Sequence, residues 1–430
     1  MSASVTQNAD QSSLASAEWL RDARLQRLMD AIAGTDEDIR VVGGAVRNWL
    51  LGREVADVDL ATTALPKTVI ARARRQGLRA IPTGIDHGTI TVIADGKPFE
   101  ITTLRRDVAT DGRHATVAFG RDWSADAHRR DFTVNALYAT KDGDIIDLVG
   151  GIADIAHQRV RFIGDPDTRI REDYLRILRL FRFHAAFGKG PVDPEGLAAC
   201  IRLREGVTTL SSERIGRELL KLVASKLAPD VLEIMQDAGI LQLSLGLDPD
   251  LRPLDIEWFR RLHALLSEIG NGQTQAAISA PSELLLGVLA PGEVDGVRFL
   301  AERLRLSNAQ RDRIARARSL AREFDLTMSA QQIRVQVYKF GRDGFADALM
   351  LAASIAPQVI QIETLRTALA TAAEFTRPAQ PVTGQDLIER GVQPGPALGS
   401  TLGKMTQRWI DSDFTLTKAD LLSGLQCGSD

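Results

Sequence analysis

Cysteine is nearly absent from this chain: Cys200 and Cys427 are the only two in 430 residues. Two thiols so far apart build neither a disulfide framework nor a thiolate metal site, and their scarcity fits a reducing cytosol. The six histidines are scattered, with no His-x-x-x-His pair, so a histidine metal site is not expected. No apolar run approaches eighteen residues, and no charged-then-apolar segment precedes the first apolar stripe. Neither a membrane span nor a secretion signal is therefore expected, and the chain reads as cytoplasmic. A large charge of either sign is also lacking. The net charge of −3 excludes a chain that is basic throughout, but not a basic face. Residues 169–182 hold five arginines against two acids, and residues 302–323 seven against three.

What is present is enough for several cores. A chain of 430 residues exceeds one ordinary hydrophobic core and should split into two to four domains. Residues 1–15 are small and polar, a frayed end. Residues 17–33 carry a helical apolar stripe. Residues 88–94 and 98–104 alternate or run β-branched around Asp95-Gly96, a strong hairpin signal. Residues 106–120, RDVATDGRHATVAFG, mix charge with glycine and read as a long mobile loop. Residues 125–139 read as helical. Beyond about residue 160 the strand signal nearly vanishes, and apolar residues recur at helical spacing up to about residue 374. Residues 226–230 offer one boundary and the Pro-containing 376–382 another.

The chemistry concentrates in residues 41–62, VVGGAVRNWLLGREVADVDLAT. They predict strand, glycine turn, short helix and a second strand carrying Asp57 and Asp59. Residues two apart on a strand share a face. The two carboxylates then stand together while Val58 and Leu60 turn to the core. Acids inside an apolar strand are costly unless a cation neutralises them, and a carboxylate pair suits Mg²⁺. Gly43 and Gly44 allow backbone N–H groups to approach phosphate oxygens, with the Arg47 guanidinium one turn behind. Glu100, on the strand 98–104, faces away from Phe99 and Ile101. It is either a third carboxylate acting on an attacking hydroxyl or a surface glutamate.

Two further segments are dense in charge. Arg130 and Asp131 stand just before an apolar run, either as a capped helix start or as phosphate and sugar contacts. In 172–183, EDYLRILRLFRF, Asp173, Arg176, Arg179 and Arg182 recur every three residues and predict one row along a helix. The bland alternative is a solvated charged face. The sharper one is base reading. A carboxylate accepts from an exocyclic amino group of cytosine or adenine while an arginine donates to the adjacent ring acceptor. Uracil and guanine leave both contacts unpaired, at about 1–3 kcal/mol each. Residues 212–218, SERIGRE, read mainly as a structural helix start capped by Ser211 or Ser212.

The motifs GGAVRNWLLGREVADVDLAT, RRDFTVNAL, EDYLRILRLFRF and LSSERIGREL occur in this order over roughly residues 38–222. Together they resemble the class II CCA-adding tRNA nucleotidyltransferase and bacterial poly(A) polymerase family of the polymerase-β-like superfamily. GQDLIERGVQPGPALG, late in the chain, is similar to a looser tail motif of the CCA-adding members. The resemblance implies an α+β head with a small mixed sheet (residues 1–150). An all-α neck (151–225), body (226–375) and tail (376–430) would follow. It implies Mg²⁺ on Asp57 and Asp59, triphosphate contacts from Gly44 and Arg47, a further nucleotide arginine at Arg130, base reading by Asp173 and Arg176, and further nucleotide contacts from Arg179 and Arg182. Asn48 stands where the family usually has Asp. GIDHGTITV at 84–92 and the lack of a strongly basic C-terminal extension favour CCA addition over poly(A) synthesis. The substrates implied are CTP, ATP and the tRNA 3′ end. The flexible loop implied at 106–120 fits the full CCA activity. Rival readings are a poly(A) polymerase, a CC- or A-adding enzyme, and a non-catalytic RNA-binding scaffold. Asp57→Ala and Asp59→Ala proteins are expected to fold and to incorporate no nucleotide. Full incorporation by either would sink the metal assignment.

Overall fold

Short β-branched and apolar runs separated by glycine turns build one mixed sheet early in the chain, and helical periodicity takes over after it. The computed structural model describes residues 13–110, 115–248, 254–270, 282–292, 294–356 and 360–423. Most of the expected frayed end, residues 1–12, and Cys427 lie outside the described residues. The chain divides into two compact units, Met1–Arg252 and Pro253–Asp430.

In the first unit the strands are β1 (Ile39–Val42), β2 (Asp59–Thr62), β3 (Arg79–Gly84), β4 (Thr89–Ala94), β5 (Lys97–Thr103), β6 (Arg105–Thr110), β7 (Ala115–Phe119), β8 (Leu137–Ala139) and β9 (Ile145–Asp147). Seven of them form a sheet in the order β3-β4-β5-β2-β1-β8-β9. All its neighbours run antiparallel except β2 and β5, which are parallel. The expected hairpin between β4 and β5 is present. Asp95 and Gly96 take φ of 47° and 80°, the doubly positive turn that matches strand twist.

Helices α1 (Ala23–Ile32), α2 (Gly44–Leu50), α3 (Pro66–Arg75), α4 (Trp123–His128) and α5 (Gly151–Ala156) belong to the sheet portion. One face of the sheet closes on a core that includes Val42, Ala61, Leu104, Ala136 and Tyr138. Six helices follow: α6 (Pro166–Glu172), α7 (Leu175–Phe187), α8 (Pro194–Arg202), α9 (Ser212–Val223), α10 (Ala228–Asp237) and α11 (Ile240–Leu245). Helix α7 packs against both α9 and α10. Nine of its thirteen residues are buried, which explains why it can fix charged groups firmly.

The second unit is helical throughout its described residues: α12 (Ile256–Gly270), α13 (Ser282–Val288), α14 (Val294–Leu304), α15 (Asn308–Ala321), α16 (Ala330–Ile355), α17 (Ile362–Glu374), α18 (Gly384–Ile388), α19 (Pro396–Asp411) and α20 (Lys418–Leu422). Helix α16 is broken at Gly341, whose φ of 78° and ψ of 166° no helix accommodates. Its last helices gather a small core around Trp409, where Tyr338 and Phe414 pack at 5.7 and 5.1 Å.

An α+β head followed by helices is the expected class, but two local readings need correction. Residues 106–120 are not simply a loop: outside 111–114, which are not described, they pair as the two-stranded sheet β6–β7. A ribbon of this kind needs only backbone pairing, so charge and glycine in its sequence do not forbid it. Residues 125–139 are not one helix. Helix α4 stops at His128, a single 3₁₀ turn covers Thr133–Asn135, and β8 enters the sheet between β1 and β9. Phe132, Val134, Ala136, Leu137, Tyr138 and Ala139 are all fully buried. A run buried on every side loses the alternation that tells strand from helix.

Gly151 opens α5 against the 3₁₀ turn, where a Cβ would stand 2.3 Å from the Thr133 carbonyl oxygen. Gly151→Ala is expected to destabilise the first unit by about 1–3 kcal/mol in denaturant unfolding. Gly120→Ala, where a Cβ meets nothing within 4 Å, should change stability by less than about 0.5 kcal/mol.

Candidate active site

Gly43 caps β1 with φ of 71° and its N–H bonded to the Leu137 carbonyl at 2.9 Å. The chain turns there into α2, which carries Arg47 under the Gly44 position. A Cβ on Gly44 would meet only the Arg47 Nη2, at 3.8 Å, so the backbone is approachable. The Arg47 guanidinium donates to the Asn48 carboxamide oxygen at 2.9 and 3.2 Å and to the Asn135 carboxamide oxygen. It lies 5.0 Å from the Phe183 ring centre. Among the described residues it has no carboxylate at ion-pair distance. Burial, reinforced by Arg182, Arg179 and Arg53 against the opposing pull of Asp131, brings its pKa down to about 10. Arg179 and Arg182 repel Arg47 but are themselves paired with Asp131 and Glu218, so Arg47 is the one of the three without a carboxylate, a costly placement that a polyanion would relieve.

The carboxylates lie at the neighbouring strands. Val42 of β1 pairs with Asp59 of β2, and Asp59 pairs with Glu100 of β5 in parallel register. Equal register on adjacent strands puts Asp59 and Glu100 on one face. Asp57 precedes the ladder rather than lying in it, but exposure alternates as expected: Asp57 and Asp59 are exposed, Val58 and Leu60 buried. Burial by surrounding protein, then Glu100, then Asp57 push the Asp59 pKa up, with Arg130 opposing. Among the described residues none of the three has an ion-pair partner. The described residues also hold no group of three or more acids, histidines or cysteines placed to cage an ion by themselves. Neighbouring carboxylates without an ion-pair partner fit Mg²⁺, which keeps waters and substrate phosphates among its ligands.

Arg130 lies beside the Gly43 turn and acts on Asp59. Its Nη1 comes within 3.9 Å of where a Gly43 Cβ would be. Asp126, almost fully buried, holds it at 2.9 Å and also binds Arg129 and the Tyr138 hydroxyl. Burial works against the Arg130 charge, and Asp126 with Tyr138 more than reverses it. Asp131 is buried as well. It accepts from Arg179 at 2.5 and 2.7 Å, from the Asn135 amide at 3.0 Å and from the Phe132 N–H at 2.8 Å. Burial raises its pKa, but Arg179 and these donors bring it below the ordinary carboxylate range.

The row expected from Asp173 to Arg182 is split. Asp173 is the residue after α6, with extended φ and ψ of −157° and 106°, and α7 starts two residues later. Only the three arginines share the helix. The Asp173 carboxylate accepts from the Leu175 N–H at 3.1 Å and from Arg214 at 2.6 Å. Arg176 donates to Glu172 at 2.6 Å and to the Arg169 carbonyl at 2.8 Å. Arg182 pairs with Glu218 and stacks 3.8 Å from the Phe183 ring centre; Arg179 stands 3.8 Å from Glu218.

Four residues were missed as site members: Asp126, Asn135, Arg214 and Glu218. Asp126 had a local signal, its spacing of four before Arg130. Glu218 had another, an acid on the stripe of Ile215, Leu219 and Leu222, where burial demands a cation. Arg214 had none, because its partner is 41 residues away; Asn135 stands four residues after Asp131, which it bonds, but its other partner, Arg47, is 88 residues away. Ser211 occupies the N-cap of α9 without a side-chain capping bond.

A family model described as the Poly A polymerase head domain matches residues 39–161. The mitochondrial CCA tRNA nucleotidyltransferase 1 of Danio rerio is 33% identical over 397 residues, spanning 90% of this chain and 87% of that protein. The CCA-adding enzyme of Levilactobacillus brevis is 31% identical over 389 residues, spanning 89% and 92%. The crystal structure of the Bacillus stearothermophilus CCA-adding enzyme in complex with CTP matches with a TM-score of 0.71 at 26% identity, covering 91% of this chain and 93% of that one.

The Asp59 shift carries a stability prediction. Its folded pKa lies above the unfolded value, so folding is favoured below the ordinary Asp range of about 4 and loses that benefit as pH rises through the raised value. Asp59→Asn is therefore expected to raise the Tm of the first unit slightly at pH 7.5, an effect that solvent screening at this exposed residue keeps small and that fades as the pH falls to about 4. Calorimetry checks this; a lower Tm at pH 7.5 would contradict the crowded-carboxylate account.

Proposed function

The chain belongs to the family of CCA-adding tRNA nucleotidyltransferases, and we propose that it adds C, C and A to the 3′ end of tRNA from CTP and ATP without a nucleic-acid template. The observation that carries this reading is a pair of charged groups without counterions among the described residues: the Arg47 guanidinium, held by neutral amides, and the Asp57, Asp59 and Glu100 carboxylates, which have no ion-pair partner there. Arg179 and Arg182 stand near Arg47 but are paired with Asp131 and Glu218, and Arg130 acts on Asp59 and approaches Gly43. A nucleoside triphosphate with its divalent cation complements Arg47 and the carboxylates together.

The tRNA 3′-hydroxyl attacks the α-phosphate in line, and pyrophosphate leaves. Mg²⁺, held by Asp57 and Asp59 with waters and phosphate oxygens, would lower the pKa of the attacking hydroxyl and screen the phosphate charge. The chain's own residues supply the remaining parts. Arg47, Arg179 and Arg182 bind the triphosphate, and the Gly43-Gly44 turn lets the backbone approach it. Arg130 orients the nucleotide from beside the Gly43 turn. Glu100, in register with Asp59, would polarise or deprotonate the attacking hydroxyl. Asp173 accepts from the exocyclic amino group of C or A, and Arg176 donates to the neighbouring ring acceptor. Residues 1–150 act as the catalytic head, 151–225 as the base-reading neck, and the helices of 226–375 and 376–430 as the tRNA-binding body and tail.

The test supplies tRNA transcripts ending before CCA, after C and after CC, with each labelled nucleotide in turn. The expected products are C, C and A respectively, then arrest. A long A tail from ATP alone on any RNA would establish a poly(A) polymerase. Extension of only one transcript class would establish a CC- or A-adding enzyme. No incorporation with Mg²⁺ would leave an RNA-binding scaffold.

A further inference from the structure

Helix α9 brings two charged side chains to the site from outside the motifs that bind nucleotide. Arg214 and Glu218 are one turn apart, so they lie on the same side of the helix. Glu218 is buried, pairs with Arg182 and stands 3.8 Å from Arg179. Arg214 reaches the Asp173 carboxylate at 2.6 Å. One face of α9 therefore touches both the phosphate-binding arginines and the base-reading acid.

Asp173 needs such a partner. It sits between two helices in an extended conformation, so no helical hydrogen-bond ladder fixes its side chain. Its Oδ1 is held by the Leu175 N–H of α7 and its Oδ2 by Arg214 of α9. Together the two donors, from different helices, set the plane of the carboxylate and leave its remaining lone pairs to accept from a base. A carboxylate free to rotate would offer acceptors in many directions and discriminate poorly, because selection depends on a fixed acceptor meeting a donor or a carbonyl.

We infer that Arg214 is a positioning residue for nucleotide selection: it orients the Asp173 carboxylate against the incoming base, while Glu218 keeps α9 in register with the triphosphate arginines. This rests on the reading of Asp173 as the base-reading acid. It differs from a purely structural role, which would affect all four nucleotides alike.

The experiment measures kcat and KM for CTP, ATP, UTP and GTP on tRNA ending at the appropriate position, with Tm as the folding control. Arg214→Ala is expected to raise KM for CTP and ATP and to lower discrimination against UTP and GTP by roughly tenfold. Its kcat with CTP should fall less than its KM rises. Arg214→Lys, which keeps one charged donor, should recover part of the discrimination, and the exposed Arg217→Ala on the same helix should match the parent protein. If Arg214→Ala does not fold, Arg214→Gln is read by the same ratio. Asp173→Ala separates the two ideas. Intact rejection of UTP and GTP in Asp173→Ala would overturn the base-reading assignment itself. Lost rejection there, with full rejection retained in the folded Arg214 variants, would overturn the role of Arg214 alone.

Discussion

The buried pair of Asp131 and Arg179 is the interaction on which the site depends. Asp131 comes from the segment between α4 and β8, and Arg179 from the middle of α7, so the pair ties the sheet portion to the helices that follow it. Its second function is to hold Asn135, whose carboxamide oxygen in turn receives Arg47. The α7 arginine thus reaches the α2 arginine through one acid and one amide. A buried ion pair is worth its desolvation only when further hydrogen bonds fill the remaining lone pairs, and Asp131 has that supply from Phe132 and Asn135.

Around this joint the protein leaves charge uncompensated on both sides. Arg47 is held by two neutral amides rather than by a carboxylate, and Asp59 is crowded by Asp57 and Glu100. Neither arrangement favours the empty fold. Both make sense for a protein that completes its electrostatics with a metal-bound triphosphate, the usual pattern in which a functional site gives up stability. Asn48 fits this picture as a neutral acceptor that steadies the Arg47 fork.

Period-two patterning places Asp57 and Asp59 on one face from the sequence, because strand alternation is local and survives burial of every second residue; that Glu100 joins Asp59 takes the pairing of β2 with β5, which no local pattern shows. The β4–β5 hairpin was legible for a similar reason, since Asp-Gly alone demands two positive φ angles. Strand β8 was not, because complete burial erased its alternation. The Asp173 row failed differently. The triplet spacing continues through the acid, but the chain leaves the helix there, and a side chain bonded to a following N–H competes with helix as readily as it caps one. The network from α9 lay beyond any local reading, because which helix packs on α7 is a tertiary fact.

Parallel pairing of β2 with β5 makes the carboxylate site indifferent to the length of chain between them. Two strands, a helix and a hairpin separate Asp59 from Glu100, and insertions in their turns would leave the two acids neighbours. A single residue added inside β5 before Glu100 would instead turn that acid toward the core. The site is therefore open to drift in loop length and closed to drift in strand length, so a lineage can remodel the rim of this sheet without re-inventing its chemistry.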